Sequence, residues 1–359
     1  MSPATRTGAA FVWDPKIASH VYREDHPLKP RRLIGVYDTL RDLGAFDRAG
    51  AKVLAPRSAT REEIERIHAP EYVEAVMRAS VDPRLNYSEF GLAPYGDTPP
   101  FSGMHEVSLL TTGGSLVAME ESLAGRVRVA VNYSGGLHHA MHRKASGFCI
   151  YNDPAIVCGV LADRGMRVAY VDIDAHHGDG VQAAFYDSDR VLTISLHETG
   201  RTLFPGTGFA SERGRGPGAG YSINVALPPY TDDAAYMRAF DAVVPELVTR
   251  YRPDFLVTQQ GIDPHFSDPL THLMVSTRAR EQIVRWFSQS PYAWAAMGGG
   301  GYDLDAVRRT WSLEFLVMLG AAVPEELHDR EPPVWPGASR RQMDDLVDVA
   351  ISEALAAAW

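Results

Sequence analysis

One apolar run that ends in acidic and imidazole side chains constrains the fold and the function of this chain more than any other segment. Val168–Ile173 is rich in β-branched and aromatic residues, which predicts a buried strand. The overlapping stretch Asp172–Gly180 contains three aspartates, two histidines and two glycines. Open α/β sheets build their active sites at the carboxyl ends of such strands. A solvated acidic turn would rarely carry adjacent histidines, so the segment predicts an active site.

The rest of the chain alternates strand and helix patterns. Eight segments have strand character: Ala10–Trp13, Lys52–Ala55, Arg128–Tyr133, Arg167–Asp172, Val191–His197, Tyr221–Leu227, Asp254–Gly261 and Tyr292–Met297. Helical patterns lie between them, for example Arg31–Leu43, Arg61–Met77, Ala155–Arg164, Ala234–Tyr251 and Thr277–Phe287. Several strands are continuously apolar, as expected when helices cover both faces. The alternation predicts a three-layer α/β fold with a mainly parallel central sheet.

Three segments interrupt this pattern. Residues 80–104 and Thr199–Gly220 are long irregular loops, and loops of that length are usually functional or disordered. After the break at Glu331–Gly337, Ser339 is suited to cap a helix. Its apolar positions at helical spacing are Met343, Leu346, Val347, Ala350 and Leu355. The chain is therefore divided into a catalytic domain, 1–325, and a C-terminal extension, 326–359. The extension packs either on the same domain or on a second subunit, as in a homodimer.

Composition narrows the class of protein. The chain has 35 basic and 45 acidic residues among 359, a net charge of −10, which argues against general binding of nucleic acid. The longest apolar run, Phe315–Val323, is too short to span a membrane. Cys149 and Cys158 lie in apolar surroundings and suit reduced thiols better than a disulfide. We expect a cytoplasmic protein with no direct nucleic-acid or membrane partner.

Three residues are candidate metal ligands. Asp174 and His176 alternate with Ala175 at the strand end, so their side chains can point the same way. Asp263, just beyond another apolar strand, is the third candidate, although a turn aspartate before proline is common. Three protein ligands leave coordination positions for water and substrate, as a catalytic metal requires.

Candidate acid–base groups follow two other strands. His138 and His139 come after a diglycine, and the carboxylates of Asp172 and Asp179 are suited to orient them and raise their basicity. Such His–Asp pairs suit general acid–base catalysis beside a metal. Tyr302 follows four glycines that allow a close backbone approach, and its hydroxyl can donate to a developing oxyanion.

Taken together, the motifs resemble the zinc-dependent histone deacetylase superfamily, close to its class I and to bacterial acetoin-utilisation-type deacetylases. The matching residues, in order, are His26–Pro30, Gly135–His139, Ala145–Cys149, Asn152–Asp153, Asp172–Gly180, Phe204–Gly208, Asp263 and Gly298–Tyr302. The resemblance extends from His26 to about Leu319, which is most of the chain. It implies an arginase/deacetylase-type α/β fold with an eight-stranded parallel sheet.

The resemblance also implies a reaction, the removal of acetyl groups from lysine side chains of proteins with release of acetate. Asp174, His176 and Asp263 would hold the catalytic Zn²⁺, although two aspartates and one histidine also suit Fe²⁺. His139 would activate the water and later protonate the amine. His138 would act electrostatically, and Tyr302 would polarise the amide. In the same arrangement, Asp172 would pair with His138 and Asp179 with His139.

A substrate tunnel and a second cation site are implied in the same way. Phe148 and Phe204, with Gly147 beside them, would form the walls that grip the acyl-lysine stem. Asp97 would bind the substrate backbone at the rim. A structural K⁺ or Na⁺ site would use, largely through backbone oxygens, Asp172, Asp174, His176, Ser195 and Leu196.

Other functions fit parts of the same pattern. Leu270 stands where polyamine deacetylases carry a glutamate, so acetylated polyamines or other small acetylated amines rank below acyl-lysine. A binuclear manganese ureohydrolase shares the Asp-Ala-His signature, but Gly178 occupies a position where a second metal needs a ligand. A degenerate scaffold that only binds acylated partners is disfavoured because the mapped catalytic positions are intact. His265 and His272 are each expected to be solvated loop histidines.

Overall fold

A sheet of eight strands forms the centre of the part of the protein that the structure describes. The computed structural model describes residues 8–19, 22–330 and 340–359. The strands are β1 (Ala9–Val12), β2 (Ala51–Leu54), β3 (Val129–Asn132), β4 (Val168–Asp172), β5 (Val191–Glu198), β6 (Ser222–Leu227), β7 (Phe255–Gln259) and β8 (Ala293–Met297). All neighbours pair in parallel, in the order β2-β1-β3-β8-β7-β4-β5-β6. The predicted eight-stranded α/β fold is confirmed.

Helices cover both faces of the sheet. They are α1 (Arg31–Asp42), α2 (Arg61–Glu65), α3 (Pro70–Val81), α4 (Met104–Leu123), α5 (Asp153–Asp163), α6 (Asp179–Phe185), α7 (Asp233–Tyr251), α8 (Thr277–Gln289), α9 (Leu304–Met318) and α10 (Arg340–Ala357). Side chains alternate across each strand: Val168 and Tyr170 join one buried cluster, and Ala169 and Val171 join the cluster on the opposite face. This burial on both faces explains the continuous apolar strands.

The predicted helix Arg61–Met77 is wrong, because it is two helices with a break between them. Thr60 caps α2 in a reciprocal pair of hydrogen bonds with Glu63. Pro70 then starts α3, and Ala69 before it is extended. Proline has no N–H to donate and its ring excludes the preceding helical turn, so one continuous helix cannot pass through this position.

Strand order determines which loops meet. The strands β3, β8, β7 and β4 are adjacent, and their carboxyl ends lie at one edge of the sheet. In register, Asp172 stands beside Gln259 and Asn132 beside Met297. The loops after these strands carry the predicted histidines, metal ligands and tyrosine, so the fold brings four separate sequence segments to one place.

The C-terminal helix α10 packs on β6 and α7 of the same chain. Val347 is fully buried, whereas Leu346 is 48% exposed and does not belong to the buried face. The predicted cap Ser339 lies outside the described residues. The division at residue 325 stays a prediction, and the buried residues Leu327 and Asp329 lie just beyond it. Among the described helices, none is long and apolar enough to cross a membrane.

Candidate active site

The three predicted metal ligands meet in the structure. The Nδ1 atom of His176 lies 3.1 Å from Oδ1 of Asp174 and 2.9 Å from Oδ2 of Asp263. One potential ligand atom from each residue lies within 4.8 Å of the others, and all three side chains are buried. Residues 174 and 263 follow neighbouring strands, which explains their convergence.

Neighbouring donors fix the outer oxygen of each carboxylate. Oδ2 of Asp174 accepts hydrogen bonds from Gln259 Nε2 at 2.7 Å and from the Gly300 amide at 2.8 Å. Oδ1 of Asp263 accepts from the Ala175 amide at 2.8 Å. Glycine is required at position 300, because a Cβ there would stand 2.0 Å from Oδ2 of Asp263. Each carboxylate therefore turns its other oxygen toward His176.

The charges of this cluster suit a divalent cation. Burial and the neighbouring carboxylate of Asp174 raise the pKa of Asp263 to about 6. Burial alone would lower the pKa of His176, but the two carboxylates outweigh it and hold that pKa well above its usual value. The site thus concentrates negative charge in a buried place. Two carboxylates and one imidazole form a ligand set that fits Zn²⁺ or Fe²⁺.

Two histidine–aspartate pairs stand beside the cluster. Nδ1 of His138 lies 2.7 Å from Oδ2 of Asp172, and Nδ1 of His139 lies 2.7 Å from Oδ1 of Asp179. The two Nε2 atoms are 3.1 Å apart. Tyr170 donates a further hydrogen bond to Asp172 at 2.6 Å. Each imidazole therefore has one nitrogen engaged by a carboxylate and the other turned toward its neighbour.

The two histidines differ in charge. Burial by itself lowers the pKa of His138, but Asp172 and Asp174 outweigh it and raise that pKa to about 9. Burial and the positive charge of His138 lower the pKa of His139. The opposite shifts favour the charged form of His138 and the neutral, proton-accepting form of His139. Burial also raises the pKa of Tyr302 well above its usual value, so its phenol stays protonated and able to donate.

Two residues at the start of α5 hold the histidine loop in place. Asn152 caps the helix, and its Nδ2 donates to the carbonyls of His138 and Ala140 at 3.0 and 2.9 Å. The buried carboxylate of Asp153 accepts from the amides of Gly136 and Leu137, the latter at 2.9 Å. These two residues were part of the recognised pattern without an assigned role, and the structure shows what they contact.

A cavity of about 250 Å³ leads to the buried cluster. Among its lining residues are the predicted substrate-contacting positions Asp97, Gly147, Phe148, Phe204 and Leu270, together with His139, His176 and Tyr302. The ring of Phe204 stands edge-on to His139 with centroids 5.0 Å apart. The Phe148 ring is similarly edge-on to Tyr302 at 5.8 Å. The cavity walls are aromatic and its inner end is polar.

The bend that presents Phe148 is built by local contacts. Gly147 and Phe148 both have positive φ, at 53° and 66°. Oδ2 of Asp97 accepts from the Gly147 amide at 2.8 Å, and Tyr22 donates to the Phe148 carbonyl at 2.6 Å. Asp97 is exposed and also lines the cavity.

The predicted monovalent-cation residues are partly assembled. Asp172 and Ser195 are direct neighbours across β4 and β5, and Leu196 follows Ser195. Oδ1 of Asp172 accepts from the Asp174 amide at 3.1 Å, and the Ser195 hydroxyl lies 2.8 Å from Nδ1 of His197. Ligation of K⁺ or Na⁺ by their backbone oxygens stays a prediction.

Comparison with known proteins decides the family. Residues 26–318 match the model of the histone deacetylase domain. The chain is 39% identical over 336 residues to the acetoin utilization protein AcuC of Bacillus subtilis, covering 91% of this chain and 85% of that protein. It is also 34% identical to the histone deacetylase clr6 of Schizosaccharomyces pombe, covering 89% and 78% of the two chains. This chain belongs to the histone deacetylase family.

Family membership confirms the predicted class, a hydrolase of the deacetylase type. A second acetoin utilization protein, from Staphylococcus xylosus, is 35% identical and matches 88% of this chain and 83% of its own length. Because the chain covers most of each relative, the similarity concerns the whole catalytic fold and not an isolated motif.

One prediction about this deacetylase-family chain is wrong: His265 is not a solvated loop histidine. Its side chain is buried, and Nε2 lies 3.0 Å from Oδ2 of Asp329. Nδ1 is 2.9 Å from the Ser267 hydroxyl. The partner comes from beyond the predicted domain boundary, so local sequence could not reveal the pair. His272 is half exposed, but it is bound to the buried Glu198 at 2.9 Å.

Two residues that the sequence did not indicate hold the glycine segment and the tyrosine that follows it, Tyr302. Arg32 is buried and donates to the carbonyls of Gly299 and Gly301 at 2.7 and 2.9 Å. Oδ2 of Asp268 accepts from the Tyr302 amide at 2.8 Å. Arginine at a helix start and aspartate in a turn before proline are ordinary local features. No sequence signal separates them from surface residues.

Proposed function

We propose that this member of the histone deacetylase family is a metal-dependent amide hydrolase that removes acetyl groups from lysine side chains of proteins. The observation that supports it most is the aromatic cavity between Phe148 and Phe204, which ends at His139, Tyr302 and the Asp–His–Asp cluster. The narrow apolar part suits the methylene stem of lysine, and the polar end suits its amide. An acetyl-lysine is neutral, so the acidic net charge of the chain does not oppose its binding.

In this proposal Asp174, His176 and Asp263 hold a Zn²⁺ ion, and Fe²⁺ suits the same ligands. When bound, the ion supplies positive charge that polarises the amide carbonyl and makes a water molecule more acidic. Asp172, Ser195 and Leu196, together with Asp174 and His176, would hold a structural K⁺ or Na⁺.

The side chains of this protein perform the proton transfers. His139, the neutral imidazole, accepts a proton from the attacking water while the water oxygen forms a bond to the carbonyl carbon of the acetyl group. Tyr302 donates a hydrogen bond to the former carbonyl oxygen as negative charge develops there. His139 then gives the proton to the nitrogen as the carbon–nitrogen bond breaks, which releases acetate and a lysine amine. His138 stays protonated and stabilises the developing charge.

The entrance residues favour lysine within a protein or peptide. Asp97 is exposed at the cavity, and its carboxylate accepts a hydrogen bond from the backbone amide of Gly147. A peptide substrate offers donors of the same type. Leu270 is 39% exposed and lines the same cavity. An apolar side chain there offers no attraction for the second ammonium group of an acetylated polyamine, so polyamines rank second.

The test is hydrolysis by the purified metal-loaded enzyme of acetyl-lysine peptides and acetylated polyamines at equal concentrations. We expect release of acetate mainly from the peptides. Loss of the Tyr302 hydroxyl in Tyr302→Phe should lower kcat by roughly 10²–10³-fold, whereas Tyr292→Phe, a half-buried tyrosine outside the site, should leave kcat unchanged. A clear polyamine preference, two manganese ions per chain, or full activity of Tyr302→Phe would each contradict the proposal.

A further inference from the structure

A buried carboxylate joins the two loops that carry Phe204 and Leu270. Glu198 is the last residue of β5, and its side chain is inaccessible to solvent. Its Oε1 accepts from the Thr202 hydroxyl at 2.8 Å and lies 2.9 Å from Nδ1 of His272. Its Oε2 accepts from the His272 amide at 2.9 Å. The carboxylate is thus satisfied by one donor from one loop and two from the other.

The residues that it binds lie close in sequence to the cavity walls. Thr202 is two residues before Phe204, and His272 is two residues after Leu270, and both Phe204 and Leu270 line the 250 Å³ cavity. Among the described residues, the side-chain hydrogen bonds between these two loops run through Glu198. The position of one wall relative to the other therefore depends on this carboxylate.

The same residue is anchored to the reacting end of the site. The Glu198 amide donates to the carbonyl of Ala175 at 2.9 Å, and Ala175 lies between the candidate ligands Asp174 and His176. The end of β5 therefore connects the loops that carry Phe204 and Leu270 to the Asp174–His176–Asp263 cluster. A buried carboxylate is costly unless its hydrogen bonds are satisfied. Any change that separates the loops leaves this group without partners.

We propose that Glu198 is a positioning residue that sets the width of the acyl-lysine tunnel by holding the Phe204 loop against the Leu270 loop. The inference rests on the proposed function for its substrate and extends it to selection by the width of the acyl group. With the carboxylate intact, the walls keep the separation that fits a lysine stem and a narrow acyl group. With it removed, the loops move apart, narrow acyl groups are bound less tightly and wider ones are admitted.

The test compares Glu198→Gln with wild type on acetyl-, isobutyryl- and benzoyl-lysine peptides, whose acyl groups differ in width. Glutamine keeps the shape but carries no charge and offers one acceptor oxygen in place of two, so the charge-assisted hydrogen bonds that Glu198 accepts from Thr202 and His272 are weakened or lost. We expect KM for the acetyl peptide to rise about tenfold with kcat nearly unchanged, and the benzoyl-to-acetyl ratio of kcat/KM to rise about tenfold. Thr202→Val and His272→Ala, which each cut one link, should move the ratio in the same direction.

Controls separate positioning from general destabilisation. Glu63→Gln removes a half-buried carboxylate that binds Arg57 and caps α2, and Glu63 does not line the tunnel, so this variant should lower thermal stability without changing the benzoyl-to-acetyl ratio. Combined with Phe204→Ala, Glu198→Gln should have little additional effect on the ratio, because both act through the same wall. If Glu198→Gln does not fold, the two single-link variants carry the test.

The outcomes distinguish this inference from the proposed function. Wild-type enzyme that hydrolyses no acyl-lysine peptide would overturn the proposed function. Active wild type together with an unchanged benzoyl-to-acetyl ratio in Glu198→Gln, Thr202→Val and His272→Ala would overturn the positioning role alone. A fall in kcat with unchanged KM would also contradict it, because a wall position should affect binding before chemistry.

Discussion

At the scale of single residues, the site depends on places where no side chain fits. A Cβ at Gly147 would stand 2.3 Å from Cδ2 of His139, the proposed base. Gly147 itself has positive φ, and its amide donates a hydrogen bond to Asp97. Gly147 therefore both forms the bend before Phe148 and leaves room for the imidazole, and any larger residue must displace one of them.

We predict that Gly147→Ala lowers kcat/KM by roughly 100-fold, because displacing His139 by a fraction of an ångström to an ångström misplaces the proton transfer. The matched control is Gly44→Ala, which has similar φ, +63°, but no atom within 4 Å of its Cβ. Both variants should lose about 1–2 kcal/mol of stability through backbone strain. Activity assays and thermal denaturation measure the two effects. Equal activity of the two variants would contradict the steric argument.

At the scale of elements, the loop after Asp263 is tied to a segment that sequence alone assigned to another part of the chain. Asp329 binds His265 at 3.0 Å, Arg309 at 2.8 Å and the Thr277 amide at 2.8 Å. These partners belong to the ligand loop, to α9 and to the start of α8. The residues immediately after position 325 thus pack as part of the catalytic fold.

The contacts of Asp329 predict that the stability of the fold depends on pH. Burial alone raises the pKa of Asp329, but the hydrogen bond and charge of His265 outweigh it and hold the pKa well below its usual range. Because the folded pKa lies below the unfolded value of about 3.9, the stabilisation is present above about pH 4 and is lost as pH falls further. Asp329→Asn should cost about 2 kcal/mol at pH 7 and flatten the acid dependence.

Urea unfolding between pH 7 and pH 3 measures this effect. The control is Asp345→Asn in α10, an exposed aspartate, which should retain the wild-type dependence on pH. A parallel loss of stability in Asp329→Asn and wild type as the pH falls would show that this carboxylate is not responsible.

At the scale of the whole molecule, α10 completes one side of the sheet. Val347 is fully buried in the cluster that contains strand residues of β6, such as Val225, and helix residues of α7, such as Phe240. Trp359 stacks on Tyr221 with centroids 4.7 Å apart. Because β6 is an edge strand, the helix covers apolar surface that would otherwise be exposed beside unpaired backbone groups.

We predict that Val347→Ala lowers the free energy of unfolding by about 2 kcal/mol, from lost burial and the cavity left behind. Val349→Ala, two residues along the same helix and 51% exposed, should change it by less than about 0.5 kcal/mol. Chemical denaturation measures both. Equal effects would mean that α10 is not packed on the domain in solution.

Sequence by itself determined the kinds of residue at each strand end, the parallel α/β class and the family. Alternating apolar segments report burial, and the Asp, His, Tyr and Gly clusters occupy fixed places along the chain. Only the tertiary structure decided which groups touch. Arg32 meets the carbonyls of Gly299 and Gly301 from more than 260 residues away, and His265 meets Asp329 across 64 residues. Parallel strands are ordered by crossovers rather than by sequence, so contacts between their loops depend on packing that no local pattern encodes.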